Sequence, residues 1–233
     1  KMGGYRFKKQ KLNAVYYEHK EGLFPKIFVS QLEVEELPEW AGHLIHEVVD
    51  DTQYLMSDMA IELMNCLESD GSLNEEAAEI LLIELTGYFR RPWKMPSWES
   101  MLKLNDISQY AAWVLLHGNS VNHFAALVNQ QQVAAWPEIE ATCMGMAEEG
   151  IPMKRKIEGE KGSLLRQSAT MPVMERYLFP GKEGEEKEME WTYAYFELTE
   201  RGWLHEGETP TLFPGFIPEQ AGHLFQMTRT RVN

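Results

Sequence analysis

The sequence predicts an α+β fold with a curved, mostly antiparallel sheet and a helical insertion. Three observations carry that expectation. Residues 1–36 alternate apolar and polar positions in the manner of strands, and the alternation returns after Gly118. Between them, over 38–117, apolar residues recur at helical spacing. From 118 to 200 the order reads strand, helix, strand, strand, strand, and residues 1–34 repeat the last three members. The chain is therefore read as the back half of a first βαβββ unit (1–36), a helical insertion (37–117), and a complete second unit with a C-terminal extension (118–233).

The elements follow in order. Residues 5–10 and 12–19 form a hairpin tightened around Lys11, rich in Tyr, Phe and Val. Residues 25–34 (PKIFVSQLEV) make a third strand, with Ile27 and Val29 on one face and Phe28 and Leu32 on the other. Pro38 suits a first helical position, followed by a stripe of Trp40, Leu44, Ile45, Val48 and Val49. A helix over 56–67 breaks at Asp70-Gly71. Asn74 then caps the next one, with Glu75 and Glu76 complementing its dipole. Pro92 and Pro96 mark a loop, and 107–117 is the last helix of the insertion. Beyond a strand centred on His123 come a helix over 130–149 and strands over 153–158 and 163–170. An acidic loop over 181–188 precedes a final strand, 191–199.

Composition excludes several classes. With 233 residues, 44% of them hydrophobic, the chain can bury a sizeable core. A net charge of −14 repels phosphate backbones, which argues against a nucleic-acid partner. Cys66 and Cys143 form no CxxC pair and read as reduced core residues of a cytosolic protein. No run of 18 apolar residues suggests a membrane span, and the basic, strand-like start is unlike a signal peptide, so a cytoplasmic location is expected.

Two strands hold the candidate chemistry. Val121, His123, Ala125 and Leu127 share one face of the first, and Tyr193, Tyr195, Glu197 and Thr199 one face of the last. Taken singly, His123 is a hydrogen-bonded core histidine or a ligand. Glu197 is a carboxylate paired with Arg201, an outward-facing glutamate, or a second ligand. A metal ion uses both at once and offsets the several kcal/mol that burying a carboxylate costs. His43 and His46, three apart on a helix, could make a metal pair but read better as surface residues without a third ligand. Gln167, sharing a face with Leu165 and Ala169, could bond a substrate or a neighbouring strand.

Paired βαβββ units are the architecture of the vicinal-oxygen-chelate, or glyoxalase-like, proteins. The runs KIFVSQLEVEE, YAAWVLLHGNSVNHF, LLRQSATM and YFELTERG resemble the 2-oxoadipate dioxygenase/decarboxylase family, also called the hydroxyglutarate synthase family, some of whose short bacterial members go by the names hydrolase or glyoxalase-like protein. The resemblance implies a mononuclear iron(II) site of two His and one Glu, with positions open for substrate and dioxygen. Two ligands carry over, His123 and Glu197, as the catalytic and metal residues; another divalent metal stays open. Gln167 falls where it could contact substrate. The family's opening segment, like DHIALR, would carry the first histidine and a carboxylate-binding arginine, and has no match in this sequence. That implies a chain starting after that strand, with His19 and His117 as substitutes within reach of the sheet. The implied reaction takes a 2-oxo acid such as 2-oxoadipate and dioxygen to a 2-hydroxy acid such as 2-hydroxyglutarate and carbon dioxide, without nucleic acid or membrane. A glyoxalase-like metal-dependent lyase or hydrolase, or a non-catalytic small-molecule-binding protein, are the alternatives.

Overall fold

A computed structural model describes residues 3–7, 11–20, 24–53, 55–181, 183–205, 207, 209–215 and 217. They form an α+β protein that divides into two units. One comprises described residues within Lys1–Glu33, Asn122–Tyr177 and Met189–Asn233; the other, within Val34–Val121 and Leu178–Glu188. Segment 178–188, assigned by the sequence to the second βαβββ unit, thus groups with the helices.

The chain opens with β1 (Gly3–Phe7), β2 (Leu12–Tyr17) and β3 (Ile27–Leu32), an antiparallel sheet in that order. Residues 8–10 of the expected hairpin lie outside the described residues. Lys11 enters β2 at φ 55°, the left-handed conformation a tight reversal requires. The register sets Leu12 opposite Leu32 and Ala14 opposite Ser30, so one face gathers the buried Phe7, Leu12 and Ala14. Ile27 and Val29 lie on the other and are exposed.

The helical unit follows: α1 (Glu39–Val49), α2 (Asp58–Asp70), α3 (Glu75–Tyr88), α4 (Trp98–Ile107) and α5 (Gln109–His117). Pro38 takes the cap position of α1 and not its first turn. Of the predicted α1 stripe, Ile45 is buried while Trp40 is exposed; Ala41 takes the buried position instead. Gly71 closes α2 at φ 74°, and Asn74 Oδ1 accepts from the Ala77 N–H at 2.8 Å to start α3, as its side chain predicts. The helix expected over 107–117 is α5, starting two residues later, whereas α4 has no counterpart in the sequence reading. Ser108 adopts extended backbone, ends α4 and caps α5 through its hydroxyl. The loop at Pro92 is fastened to α5: Arg91 Nη1 donates to the Leu116 carbonyl (2.7 Å) and Trp93 Nε1 to that of Leu115 (2.8 Å). This closeness explains Gly118, where a Cβ would stand 2.6 Å from the Arg91 Cα.

The chain then returns to strand with β4 (His123–Leu127), followed by α6 (Ile139–Glu148), β5 (Leu165–Ala169), β6 (Met174–Pro180), β7 (Glu186–Thr192) and β8 (Tyr195–Arg201). The helix expected from 130 starts nine residues later, after a 3-10 turn at Val128–Gln130 and Pro137. Trp136 in that lead-in packs on Gly145, where any Cβ would collide with its ring. The strand expected over 153–158 is two isolated bridges, Met153↔Thr170 and Glu158↔Gln167. Five steps on one side oppose three on the other, which breaks the ladder. The strand expected over 191–199 is broken at Tyr193-Ala194, and β6 and β7 pair across the acidic loop. Both cysteines are free; Cys66 is exposed on α2 and is not the core residue expected, whereas Cys143 is half-buried at the edge of the core.

The sheet β4-β8-β5 has β8 at its centre, parallel to β4 and antiparallel to β5. Its back face packs on α6: Val128, Ile139 and Leu198 are buried, with Ala126, Cys143, Met146, Met153 and Ile157 against them. Burying Leu198 alone contributes about 2 kcal/mol. Arg166 lies on the same face, buried, donating to Glu140 Oε2 at 2.9 Å and to Glu200 Oε1 at 3.2 Å. Glu200 Oε2 accepts from the Ile139 N–H at 2.7 Å and so caps α6, whose own cap residue, Glu138, makes no side-chain cap bond. Among the described residues no helix is long and apolar enough to cross a membrane.

Candidate functional site

Alternation along β8 sends Leu198 and Glu200 to the back and Tyr195, Glu197 and Thr199 to the front. Parallel pairing with β4 puts His123 beside Tyr195 and Ala125 beside Glu197; β5 puts Ala169 beside Glu197 and Gln167 beside Thr199. Glu197 therefore has an alanine on either side. Those two small residues leave a slot in the sheet face for its carboxylate.

The side chains converge there. Glu197 is 6% exposed and Gln167 2%. A carboxylate so buried is costly unless donors meet it. Gln167 Nε2 donates to Glu197 Oε1 at 2.5 Å, and Thr199 Oγ1 donates to the same oxygen at 2.9 Å. The other oxygen, Oε2, faces His123 Nε2 at 3.5 Å. Tyr195 stacks on the imidazole, ring centroids 4.8 Å apart and planes 13° from parallel.

Asn122 determines what the imidazole presents. Its Oδ1 lies 3.0 Å from His123 Nδ1. With the ring proton on Nδ1, the imidazole donates to that amide oxygen and keeps its lone pair on Nε2, the nitrogen nearer Glu197. Burial pushes the His123 pKa below its ordinary value, with Glu197 pulling it partly back, so the ring stays neutral at pH 7. Nε2 and a carboxylate oxygen thus lie 3.5 Å apart. That is within the span open to two ligands of one ion at about 2 Å each. The chemistry of this donor pair, one borderline nitrogen and one hard oxygen, suits a divalent transition metal. Gln167 Oε1, beside it, is buried with no hydrogen-bond partner.

The sequence singled out His123, Glu197 and Gln167, and the structure brings the three together. It gives Gln167 a bond to Glu197, and it replaces the proposed Glu197–Arg201 pair: Arg201 Nη1 donates instead to the carbonyls of Phe213 and Gly215. Asn122 and Thr199 were not assigned roles by the sequence, although Asn122 opens the NHF run and Thr199 shares parity with Glu197. Tyr193, expected on the same face, precedes β8. Neither substitute third ligand joins the pair: among the described residues no three His, Cys, Asp or Glu side chains gather to hold an ion. His19 is exposed and edge-on to Phe24 at 4.8 Å, and His117 is buried in the helical unit against Trp113 at 4.6 Å. His43 and His46 are both exposed, and His46 Nε2 lies 3.7 Å from Glu35 Oε1.

Comparison with known proteins gives the following. The sequence profile of the 2-oxoadipate dioxygenase/decarboxylase family matches residues 1–227. A protein assigned to the glyoxalase superfamily, from Ralstonia eutropha JMP134, shares the fold at a TM-score of 0.75 and 22% identity, covering 86% of this chain and 61% of its own. The hydroxyglutarate synthase of Oryza sativa, solved in complex with 2-oxoadipate, gives 0.70 and 20%, covering 97% and 70%. That of Pseudomonas putida, also with 2-oxoadipate, gives 0.65 and 23%, covering 86% and 45%. The chain thus spans 61% of the length of the Ralstonia protein and 45% of the Pseudomonas one. Among curated protein sequences there is no significant match.

Proposed function

The chain belongs to the 2-oxoadipate dioxygenase/decarboxylase family, and from that premise we propose an iron(II)-dependent oxygenase that converts a 2-oxo acid to a 2-hydroxy acid. 2-Oxoadipate, dioxygen, 2-hydroxyglutarate and carbon dioxide are the reactants and products. The observation that carries the reading is the approach of His123 Nε2 to Glu197 Oε2 at 3.5 Å. These two atoms would hold the ion. Bound iron(II) supplies a template for the 2-oxo acid and activates dioxygen. The described residues supply two protein ligands, so the ion is held weakly and has to be added in excess.

The other residues act on geometry. Asn122 holds the imidazole in the tautomer that ligates. Gln167 and Thr199 fix one carboxylate oxygen, so the other points at His123. Tyr195 walls the ring and excludes water from one side. Gln167 Oε1 is left to accept a hydrogen bond from the product hydroxyl or a water. The two free cysteines fit a reducing, cytoplasmic setting.

The test is dioxygen uptake by the chain with excess iron(II) and 2-oxoadipate, with the product identified. The reading expects uptake matched by 2-hydroxyglutarate and lost in His123→Ala and in Glu197→Ala. Turnover of the acid without dioxygen uptake would move the chain to a lyase or hydrolase using the same pair.

A further inference from the structure

The front face of the β4-β8-β5 sheet extends one segment beyond β5. Glu158 and Gln167 exchange two backbone hydrogen bonds, Glu158 N–H to the Gln167 carbonyl at 2.8 Å and the reverse at 3.0 Å. Residues paired this way in an antiparallel ladder turn their side chains to the same face. Glu158 is therefore on the face of Gln167, Glu197 and His123. The packing agrees, because Met153 and Ile157 go to the back core, leaving Lys154 and Glu158 for the front. Lys154 Nζ lies 2.7 Å from Glu158 Oε1, and the two side chains are only 17% and 8% exposed.

The charge of this corner runs against that of the chain. Lys156 Nζ also approaches Glu158, at 3.6 Å from Oε2. Two ammonium groups thus approach one buried carboxylate, in a protein whose net charge is −14. An ammonium has three N–H donors, and Glu158 engages one of those of Lys154. At about 5 Å per strand, the corner is two steps, roughly 10 Å, from the strand that carries Glu197. Between them sits the unpartnered, buried Gln167 Oε1, a mark of a ligand or water in the middle of the face.

We propose that Lys154, held in place by Glu158, binds the distal carboxylate of the substrate and so selects 2-oxo acids that carry a second acid group. A 2-oxo acid whose keto end meets the His123–Glu197 pair and whose far end meets Lys154 spans the face. The inference rests on the proposed reaction only for which end of the acid is at the pair; the anion site itself follows from the face and its charge.

The experiment compares 2-oxoadipate with 2-oxohexanoate, which has the same length and a methyl in place of the distal carboxylate. Binding to the full chain is measured calorimetrically with excess zinc(II) in place of iron(II), and KM and kcat for 2-oxoadipate are measured with iron(II). Lys154→Met is expected to weaken 2-oxoadipate about tenfold, the usual consequence of losing a charge-assisted hydrogen bond. It leaves 2-oxohexanoate within about twofold, raises KM and changes kcat little. Lys154→Arg restores most of the loss. Because Lys154→Met strands Glu158, the double variant Lys154→Met/Glu158→Gln, with no buried charge left alone, is measured beside it and shows the same selective loss. Equal weakening of both acids, or no change for 2-oxoadipate in the folded double variant, overturns the role of Lys154 while leaving the reaction intact. If the native chain binds neither acid, the proposed reaction falls as well.

Discussion

The two faces of the β4-β8-β5 sheet bury charge in opposite ways. On the back, Arg166 takes Glu140 and Glu200 together, and Glu200 also caps α6. A cation meets two anions there, and the network ties helix to sheet. On the front, Glu197 meets two neutral donors and a neutral imidazole. One arrangement is electrostatically closed and the other has room for a positive charge. Residues adjacent in sequence, Glu197 and Leu198, thus separate function from architecture by nothing more than the period of a strand.

Breaking the back should give the largest effect on stability. Arg166→Met leaves Glu140 and Glu200 without their cation. It should cost about 2–4 kcal/mol in denaturant unfolding, less than for a fully buried pair because Glu140 is 35% exposed. Metal affinity of the folded variant should barely change. A loss of metal binding as large as the loss of stability would merge the two faces into one structural network.

Breaking the front should reverse the pattern. Gln167→Leu removes a donor from Glu197 and should cost about 1–2 kcal/mol of stability, while weakening metal binding about tenfold or more. Asn122→Ala should be smaller in stability and comparable in metal affinity, since the imidazole loses only its orienting acceptor. Thermal melts and metal titrations on the same samples give both readings.

The smallest effect is that of pH. Burial holds the His123 pKa below its ordinary value of 6.5. Well above pH 6.5 the ring is neutral in both folded and unfolded chains and contributes no pH dependence. As pH falls below 6.5 the unfolded chain takes up the proton first, so stability declines until the lowered folded pKa is passed. His123→Gln should flatten that part of the stability profile. An unchanged profile would show that the imidazole titrates normally.

Much of this was legible in the sequence, for identifiable reasons. The face shared by His123 and Ala125, and that shared by Glu197 and Thr199, follow from strand period alone. Asn74 announced the start of α3 through a side chain that can only cap from there. The helix over Trp98–Ile107 was hidden behind the prolines at 92 and 96, although the Ser97 hydroxyl caps its start. Likewise β6 was obscured by Pro172 ahead of it and Pro180 at its end, and the broken ladder at 153–158 depends on a partner strand that local sequence does not show. The hydrogen bonds of Asn122 and Thr199 depend on rotamers chosen by packing, so their parts in the site came only with the coordinates.

The central claim is that His123 and Glu197 share one divalent cation. Anaerobic titration of the chain with iron(II), repeated with zinc(II) while following the imidazole resonances of each histidine, tests it directly. The account predicts weak binding at one site, displacement of the His123 resonances ahead of those of the other six histidines, and loss of that binding in both His123→Ala and Glu197→Gln. Binding that survives both substitutions, or that leaves the His123 ring unmoved, would contradict it.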